Sequence, residues 1–182
     1  MIGTGTAIDS ARLQNMIAQT VNVDPRSVHA YSMGEHGDSQ MVPWSTVTIA
    51  GKPFYDVIAD NKELVGDVDL DELVYRTTQE GWEIFNRKGT TYYGIATACV
   101  GVIKAILNDE NRIIPVSTLL EGEYGERDVY AGVPTVLNRS GAYDVLEIHM
   151  TPGELARFKE STRVIREYTA VSYTHLRAHE TL

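Results

Sequence analysis

The sequence is short of cysteine, of positive charge and of long apolar runs, and each shortage excludes a class of function. Cys99 is the single cysteine among 182 residues. An intrachain disulfide framework and a multi-cysteine zinc site are therefore excluded. Sixteen Lys and Arg stand against 25 Asp and Glu, a net charge of −9 with neutral histidines. A nucleic-acid surface must cancel phosphate charge with Lys and Arg, and an anionic membrane face needs the same excess. Neither partner is expected. The opening MIGTGTAIDSAR has no basic segment followed by an apolar one, so it does not read as a signal peptide. The most apolar stretch, residues 92–107, is too short for a bilayer and carries Lys104. These features place the chain in the cytoplasm. Met1-Ile2 read as the end of a strand already under way, so the chain is expected to begin inside a larger protein.

What is present suits one packed domain. Apolar residues make up 43% and charged residues 23%, an ordinary globular balance. Leu13, Met16, Ile17 and Thr20 recur at helical spacing and predict a helix over residues 9–20. Asp69, with Glu72 three residues on, marks the start of a second helix over 70–86, and Gly89 ends it. Residues 91–108 predict a third, apolar nearly all round and so expected in a buried central position. Residues 28–33, 46–50, 113–120, 130–137 and 145–150 predict strands, the last three antiparallel because no helix-length segment separates them. Thr151-Pro152-Gly153-Glu154 opens a last helix expected to run to about residue 168. The class is α+β, long helices packed on antiparallel sheet. Residues 1–170 form the domain. Residues 171–182 continue no apolar face and read as a non-native or disordered tail.

Three residue types point to chemistry. Asp9 falls in the middle of the apolar arc of the first helix, with Arg12 at its edge. A carboxylate on a buried face must be paired or hydrogen-bonded. One reading is an internal Asp9–Arg12 pair or a helix cap. The other has Asp9 orient a histidine while Arg12 offers its planar fork to an anion in a cleft. His36, between small residues in Gly34-Glu35-His36-Gly37-Asp38-Ser39, is the candidate histidine. It titrates near neutrality and can trade a proton; the alternative is an exposed loop side chain. His29, Glu35 and His36 match no common metal-ligand spacing, so no metal is expected. Gly3-Thr4-Gly5-Thr6 lacks the third glycine of a dinucleotide fingerprint, Ile8 standing in its place, and reads as a flexible turn into the helix.

Ile8-Asp9-Ser10-Ala11-Arg12 followed by Gly34-Glu35-His36-Gly37-Asp38-Ser39 resembles the lactate/malate dehydrogenase superfamily. Bacterial L-lactate and L-2-hydroxyisocaproate dehydrogenases are nearest in pattern. Trp44-Ser45, Lys88-Gly89-Thr90-Thr91 and Pro115-Val116-Ser117 match as well, and the likeness runs from about residue 2 to 170. The resemblance implies a substrate-binding C-terminal domain without its N-terminal Rossmann domain. It implies that His36 is the acid–base catalyst, Asp9 its paired carboxylate, and Arg12 and Thr91 substrate-binding residues. Thr4 and Ile95 would lie near the nicotinamide of an NAD cofactor. His29 matches an allosteric histidine that serves fructose 1,6-bisphosphate in some bacterial enzymes, but Gln14 replaces the accompanying arginine.

The activity so implied is hydride transfer between NAD and a small 2-oxo or 2-hydroxy acid, (S)-lactate and pyruvate or a branched equivalent. A dimer or tetramer of the intact parent is implied too, and a fragment inactive alone. Malate dehydrogenase is the alternative within the family, disfavoured by Glu35. A catalytically inactive assembly domain is the alternative outside it.

Overall fold

The computed structural model describes the backbone of residues 1–179 and the side chains of residues 1–171. Chain order gives helix α1 (Gly5–Val21), then short strands β1 (Val28–His29), β2 (Thr48–Ile49) and β3 (Lys52–Pro53). Helices α2 (Phe54–Asp60), α3 (Lys62–Val65), α4 (Leu70–Lys88) and α5 (Tyr93–Leu107) follow. Strands β4 (Arg112–Glu121), β5 (Arg127–Asn138) and β6 (Gly141–Val145) precede the last helix, α6 (Pro152–His179). Two antiparallel sheets result, β1-β2-β3 and β4-β5-β6. This is the expected α+β arrangement of long helices on antiparallel sheet. Among the described residues no helix is long and apolar enough to cross a membrane.

The long helices begin and end where local chemistry dictates. At α4 the Asp69 carboxylate accepts from the backbone N–H groups of Asp71 and Glu72, satisfying donors left open by the first turn. Asp71 and Glu72 lie at its positive end and Arg87 and Lys88 at its negative end. Gly89 closes it at φ 73°. At α6, Thr151 and Glu154 exchange hydrogen bonds as a capping box. Glu154 also accepts from the Ser45 N–H and hydroxyl, tying α6 to the loop before β2.

Three cores hold these elements. Leu13, Met16 and Ile17 of α1 pack with Val28, Trp44, Ile49, Phe54 and Leu73, joining α1 to the small sheet, α2 and α4. Met33, Leu120, Val133 and Phe158 join the large sheet to α6. Val102 and Ala105 of α5 meet Ile114, Val116 and Leu137.

Several expectations need correction. Residues 28–33 are a strand only over Val28–His29, because the Ser32 N–H is taken by the Ser10 hydroxyl of α1 instead of a neighbouring strand. The second strand begins at Thr48, since Trp44–Thr46 form a 3-10 turn. Residues 146–150 are not a strand; the third strand of the large sheet is Gly141–Val145, after which the Leu146 N–H still bonds the Pro134 carbonyl of β5. Ile148 and Met150 still pack on the core. Their segment is held by the Tyr124 hydroxyl, which accepts from the Ile148 N–H and donates to the Leu146 carbonyl. Helix α5 is not central: Tyr93, Val100, Ile103 and Leu107 are exposed. Gly5 and Thr6 belong to α1 and are not a flexible turn. The last helix passes residue 168 and runs to His179. Of the stretch set apart as a tail, residues 180–182 lie outside the described residues.

Candidate active site

The site forms where α1, the loop after β1, and α4 meet. Asp9 is buried, 4% exposed at its side chain, and its Oδ2 lies 2.6 Å from His36 Nδ1. Its Oδ1 lies 3.4 Å from Arg12 Nη1. Asp9 therefore contacts both Arg12 of its own helix and His36 of the loop. The Asp9 contact occupies Nδ1, and Nε2 is the ring nitrogen it leaves unengaged on a 56% exposed side chain. The bond to Asp9 holds the His36 pKa above its usual value, against the opposing effects of partial burial and the Arg12 charge; the charges of Asp9 and Glu35 add to the rise.

The His36 loop is pinned at its root. Met33 and Met41 exchange backbone hydrogen bonds, and so do Gly34 and Gly132 of β5. Gly34 sits at φ 88°, and a side chain there would overlap the Ser161 hydroxyl of α6. Gly5, in the first turn of α1, is needed for another reason. A Cβ at Gly5 would occupy the space of the His36 ring. Below the loop, Ser32 donates to Gln40 Oε1, and Gln40 Nε2 donates to Thr78 Oγ1 of α4.

Asp9, Arg12, His36 and Thr91 line one cleft of about 450 Å³, walled on the far side by Trp82 and Phe85 of α4. A larger cleft, about 950 Å³, shares Ile8, Arg12 and Thr91 with it and continues past Ile95 along α5. His29 and Gln14 line that larger cleft, away from the histidine site. Thr4 lines neither cleft; its hydroxyl lies 3.9 Å from Cys99 Sγ. Among the described residues no group of three or more His, Cys, Asp or Glu side chains is placed to hold a metal ion. Sequence reasoning missed Gly5, Gln40, Thr78, Trp82, Phe85 and Ser161 as parts of this site. The apolar positions in α4 signalled a helix face but not that Phe85 would border a polar cleft.

A cleft with a carboxylate-bound imidazole and a guanidinium can bind a small anion and pass a proton to an oxygen beside it. The sequence profile described as "lactate/malate dehydrogenase, alpha/beta C-terminal domain" matches residues 6–170. L-lactate dehydrogenase 3 of Bacillus cereus is 49% identical over 168 residues, covering 92% of this chain and 53% of the relative. L-lactate dehydrogenase 1 of Bifidobacterium longum is 46% identical over 168 residues, with the same coverage of 92% and 53%. The crystal structure of the minor L-lactate dehydrogenase from Enterococcus mundtii in its ligands-bound form superposes with a TM-score of 0.86 at 41% identity, over 95% of this chain and 54% of that one. A lactate dehydrogenase from a Medee basin deep-sea metagenome library gives 0.87 at 41% identity, over 91% and 53%. The chain thus spans about half the length of the relatives it matches, and it belongs to the lactate/malate dehydrogenase family through that family's C-terminal domain.

Proposed function

We propose that this chain is the substrate-binding half of an NAD-dependent L-2-hydroxyacid dehydrogenase of the L-lactate type, acting in the cytoplasm on pyruvate or a branched 2-oxo acid. The observation that carries the reading is the 2.6 Å contact between His36 Nδ1 and Asp9 Oδ2 in a cleft that also presents Arg12. Relatives named L-lactate dehydrogenase, at up to 49% identity, support it.

Arg12 binds the substrate carboxylate through its fork and thereby aims the keto oxygen at His36. Nε2 of the protonated imidazole donates to that oxygen and gives up its proton as the alcohol forms. Asp9 stabilises the charged ring before transfer and keeps Nδ1 as the fixed nitrogen. Trp82 and Phe85 line the same cleft with apolar surface. In the reverse direction His36 takes the hydroxyl proton.

NAD supplies and accepts the hydride when bound. The residues present suit its nicotinamide end only. Ile8, Thr91 and Ile95 form a wall of apolar and hydroxyl groups continuous with the His36 cleft, and Thr4 stands behind it near Cys99. In the glycine-containing start two polar groups are already engaged within the domain. The Gly3 N–H bonds the Ser117 carbonyl and the Thr6 hydroxyl donates to Pro115. The rest of the cofactor belongs to a Rossmann domain, without which the chain turns over poorly, and the intact protein is a homo-oligomer.

The test is a fusion of this chain to the N-terminal half of the Bacillus cereus relative. It should reduce pyruvate or a branched 2-oxo acid with NADH. His36→Gln should lower kcat by at least the ~10² to 10⁴ of acid–base catalysis while the fold persists. A folded fusion that reduces neither acid, or a His36→Gln form that turns over normally, would overturn the reading.

A further inference from the structure

Ser161 is a fully buried serine in the middle of α6, a helix distant in sequence from the His36 loop. A helical serine commonly turns its hydroxyl back to a carbonyl of its own helix. Ser161 does not. Its Oγ accepts from the Glu35 backbone N–H at 2.8 Å and lies 3.1 Å from Ser39 Oγ. Ser39 Oγ is in turn 2.5 Å from Glu35 Oε2, and the Ser39 N–H reaches the same oxygen at 3.2 Å. A carboxylate only accepts, so the Ser39 proton goes to Glu35. The Ser161 proton then goes to Ser39. Three of these bonds close a ring through Ser161, Ser39 and both ends of Glu35, the residue directly before His36, and the Ser39 N–H adds a fourth to the same carboxylate. Gly34, on the other side, leaves room for the Ser161 hydroxyl that a side chain would fill.

We propose that Ser161 is a positioning residue for His36, fixing the Glu35 backbone and the Ser39 side chain so that the imidazole keeps its place against Asp9 and its free nitrogen faces the cleft. The proposal rests on the acid–base reading of His36 and adds to it a residue from the last helix. The root of the loop is already held by backbone pairs at Met33–Met41 and Gly34–Gly132. Ser161 acts one step further out, on the peptide that leads into the histidine. Thr162, its neighbour, is equally buried but bonds only the Lys159 carbonyl of its own helix. It serves as the matched control for a purely structural loss of a hydroxyl.

The experiment uses the 182-residue chain and needs no turnover. Proton NMR follows the His36 ring through a pH titration, with the resonance assigned by its loss in His36→Gln. The charged groups that bear on this ring are Asp9 and Arg12 from α1 and Glu35 from its own loop, and Asp38 of that loop lines the same cleft; α4 presents the uncharged Thr78, Trp82 and Phe85. Ser161→Ala should move the His36 midpoint downward by about half a pH unit, within the ~1 unit spread that surroundings give histidines in folded proteins. Thr162→Ala should leave it in place. In the unmodified chain the Glu35 amide should exchange as slowly as helix amides. A Glu35 amide that exchanges like an open loop overturns the proposal, and so does a folded Ser161→Ala chain with an unmoved His36 midpoint. If Ser161→Ala does not fold, Ser161→Cys is judged by the same criterion, since it keeps the size and weakens the acceptor. Asp9→Asn separates the two readings. If it leaves His36 unmoved, the dyad itself fails, whatever Ser161 does.

Discussion

Helices α1 and α5 lie side by side and end in opposite surroundings. On α1, Leu13, Met16, Ile17 and Ala18 are buried together with polar Thr6, Asp9 and Ser10. On α5, the more apolar helix, only Val102 and Ala105 are buried, while Val100 is 63%, Ile103 53% and Leu107 73% exposed. Hydropathy sets how strongly a helix favours cover, but it does not say which surface supplies it. Within this chain α1 is covered by the small sheet, α4 and β4. The larger cleft runs along Gly94, Ala98 and Gly101 of α5, whereas Val100, Ile103 and Leu107 line neither cleft and have no cover from the described residues. The chemistry follows the same division. The buried polar groups Thr6, Asp9 and Ser10 sit on the covered helix, where a low dielectric strengthens their contacts. The uncovered helix carries apolar side chains suited to an interface.

The comparison is tested most strongly at Leu13, which is fully buried in the first core. Leu13→Ala should lower unfolding free energy by ~2–5 kcal/mol, the range for emptying a packed leucine site. Leu107→Ala, the same truncation at an exposed position, should stay within ~0.5 kcal/mol. Denaturant melts of the two variants measure both. Equal losses would mean that α5 is covered in solution, for instance by a second copy of the chain.

A smaller effect is expected at the site itself. Arg12→Lys keeps the positive charge but loses the planar fork. Affinity of the completed enzyme for 2-oxo acids should fall by roughly 1.5–3 kcal/mol, the scale of a hydrogen bond to a charged group. Affinity for NADH should hardly change. Calorimetric titration with each ligand separates these outcomes, and equal losses would make Arg12 chiefly a structural partner of Asp9.

Much of this was legible because it is local. The period of Leu13, Met16 and Ile17, the Asp69 cap and the Thr151–Glu154 box are each set within a few residues, and the helices they predict are present. Asp9 and Arg12 share one helix, and the loop glycines marked His36 as a reactive candidate. What escaped lies in contacts between distant segments. Ser161 meets Glu35 across 126 positions, and no periodicity encodes such a meeting. Gly5 looked like a turn residue because its role is the absence of a side chain against a ring 31 positions away, which only the folded packing reveals. Residues 145–150 read as a strand, but after Val145 and one bond from the Leu146 N–H to the Pro134 carbonyl of β5, the Leu146 carbonyl and the Ile148 N–H go to the Tyr124 hydroxyl. For α5 the composition predicted a buried central helix, and the helix is instead largely open, because hydropathy alone does not say which surface supplies cover and none of the described residues covers Val100, Ile103 and Leu107.

A titration sharpens the comparison at the covered helix. His36 binds its proton more tightly when folded than its ordinary value near ~6.5 allows. A raised folded pKa contributes stability that is fully present below ~6.5 and is lost as pH rises through the folded value. The stability advantage of the unmodified chain over His36→Gln should therefore shrink as pH increases across that window. Urea midpoints of the two chains, measured at several pH values from about 5.5 to 8.5, give the difference directly. A difference that grows with pH would mean that His36 is held neutral, contrary to its pairing with Asp9.

The smallest effect on stability, and the most informative about cover, is expected on α5. Val100 and Ile103 project one helical turn apart from a face that is largely open to solvent. Val100→Ser and Ile103→Ser together should change the unfolding free energy of the isolated chain by no more than ~0.5 kcal/mol each, as for surface positions without partners. Contiguous apolar patches of a few hundred Å² promote association, so the unmodified chain should form oligomers or larger particles at concentrations where the double variant does not. Light scattering over a concentration series reads this out, with Leu13→Ala as the contrasting variant that loses stability without removing the patch. If the unmodified chain is a monodisperse monomer at every concentration, the open face of α5 does not drive self-contact. The apolar surplus of this helix would then serve contacts with another domain alone.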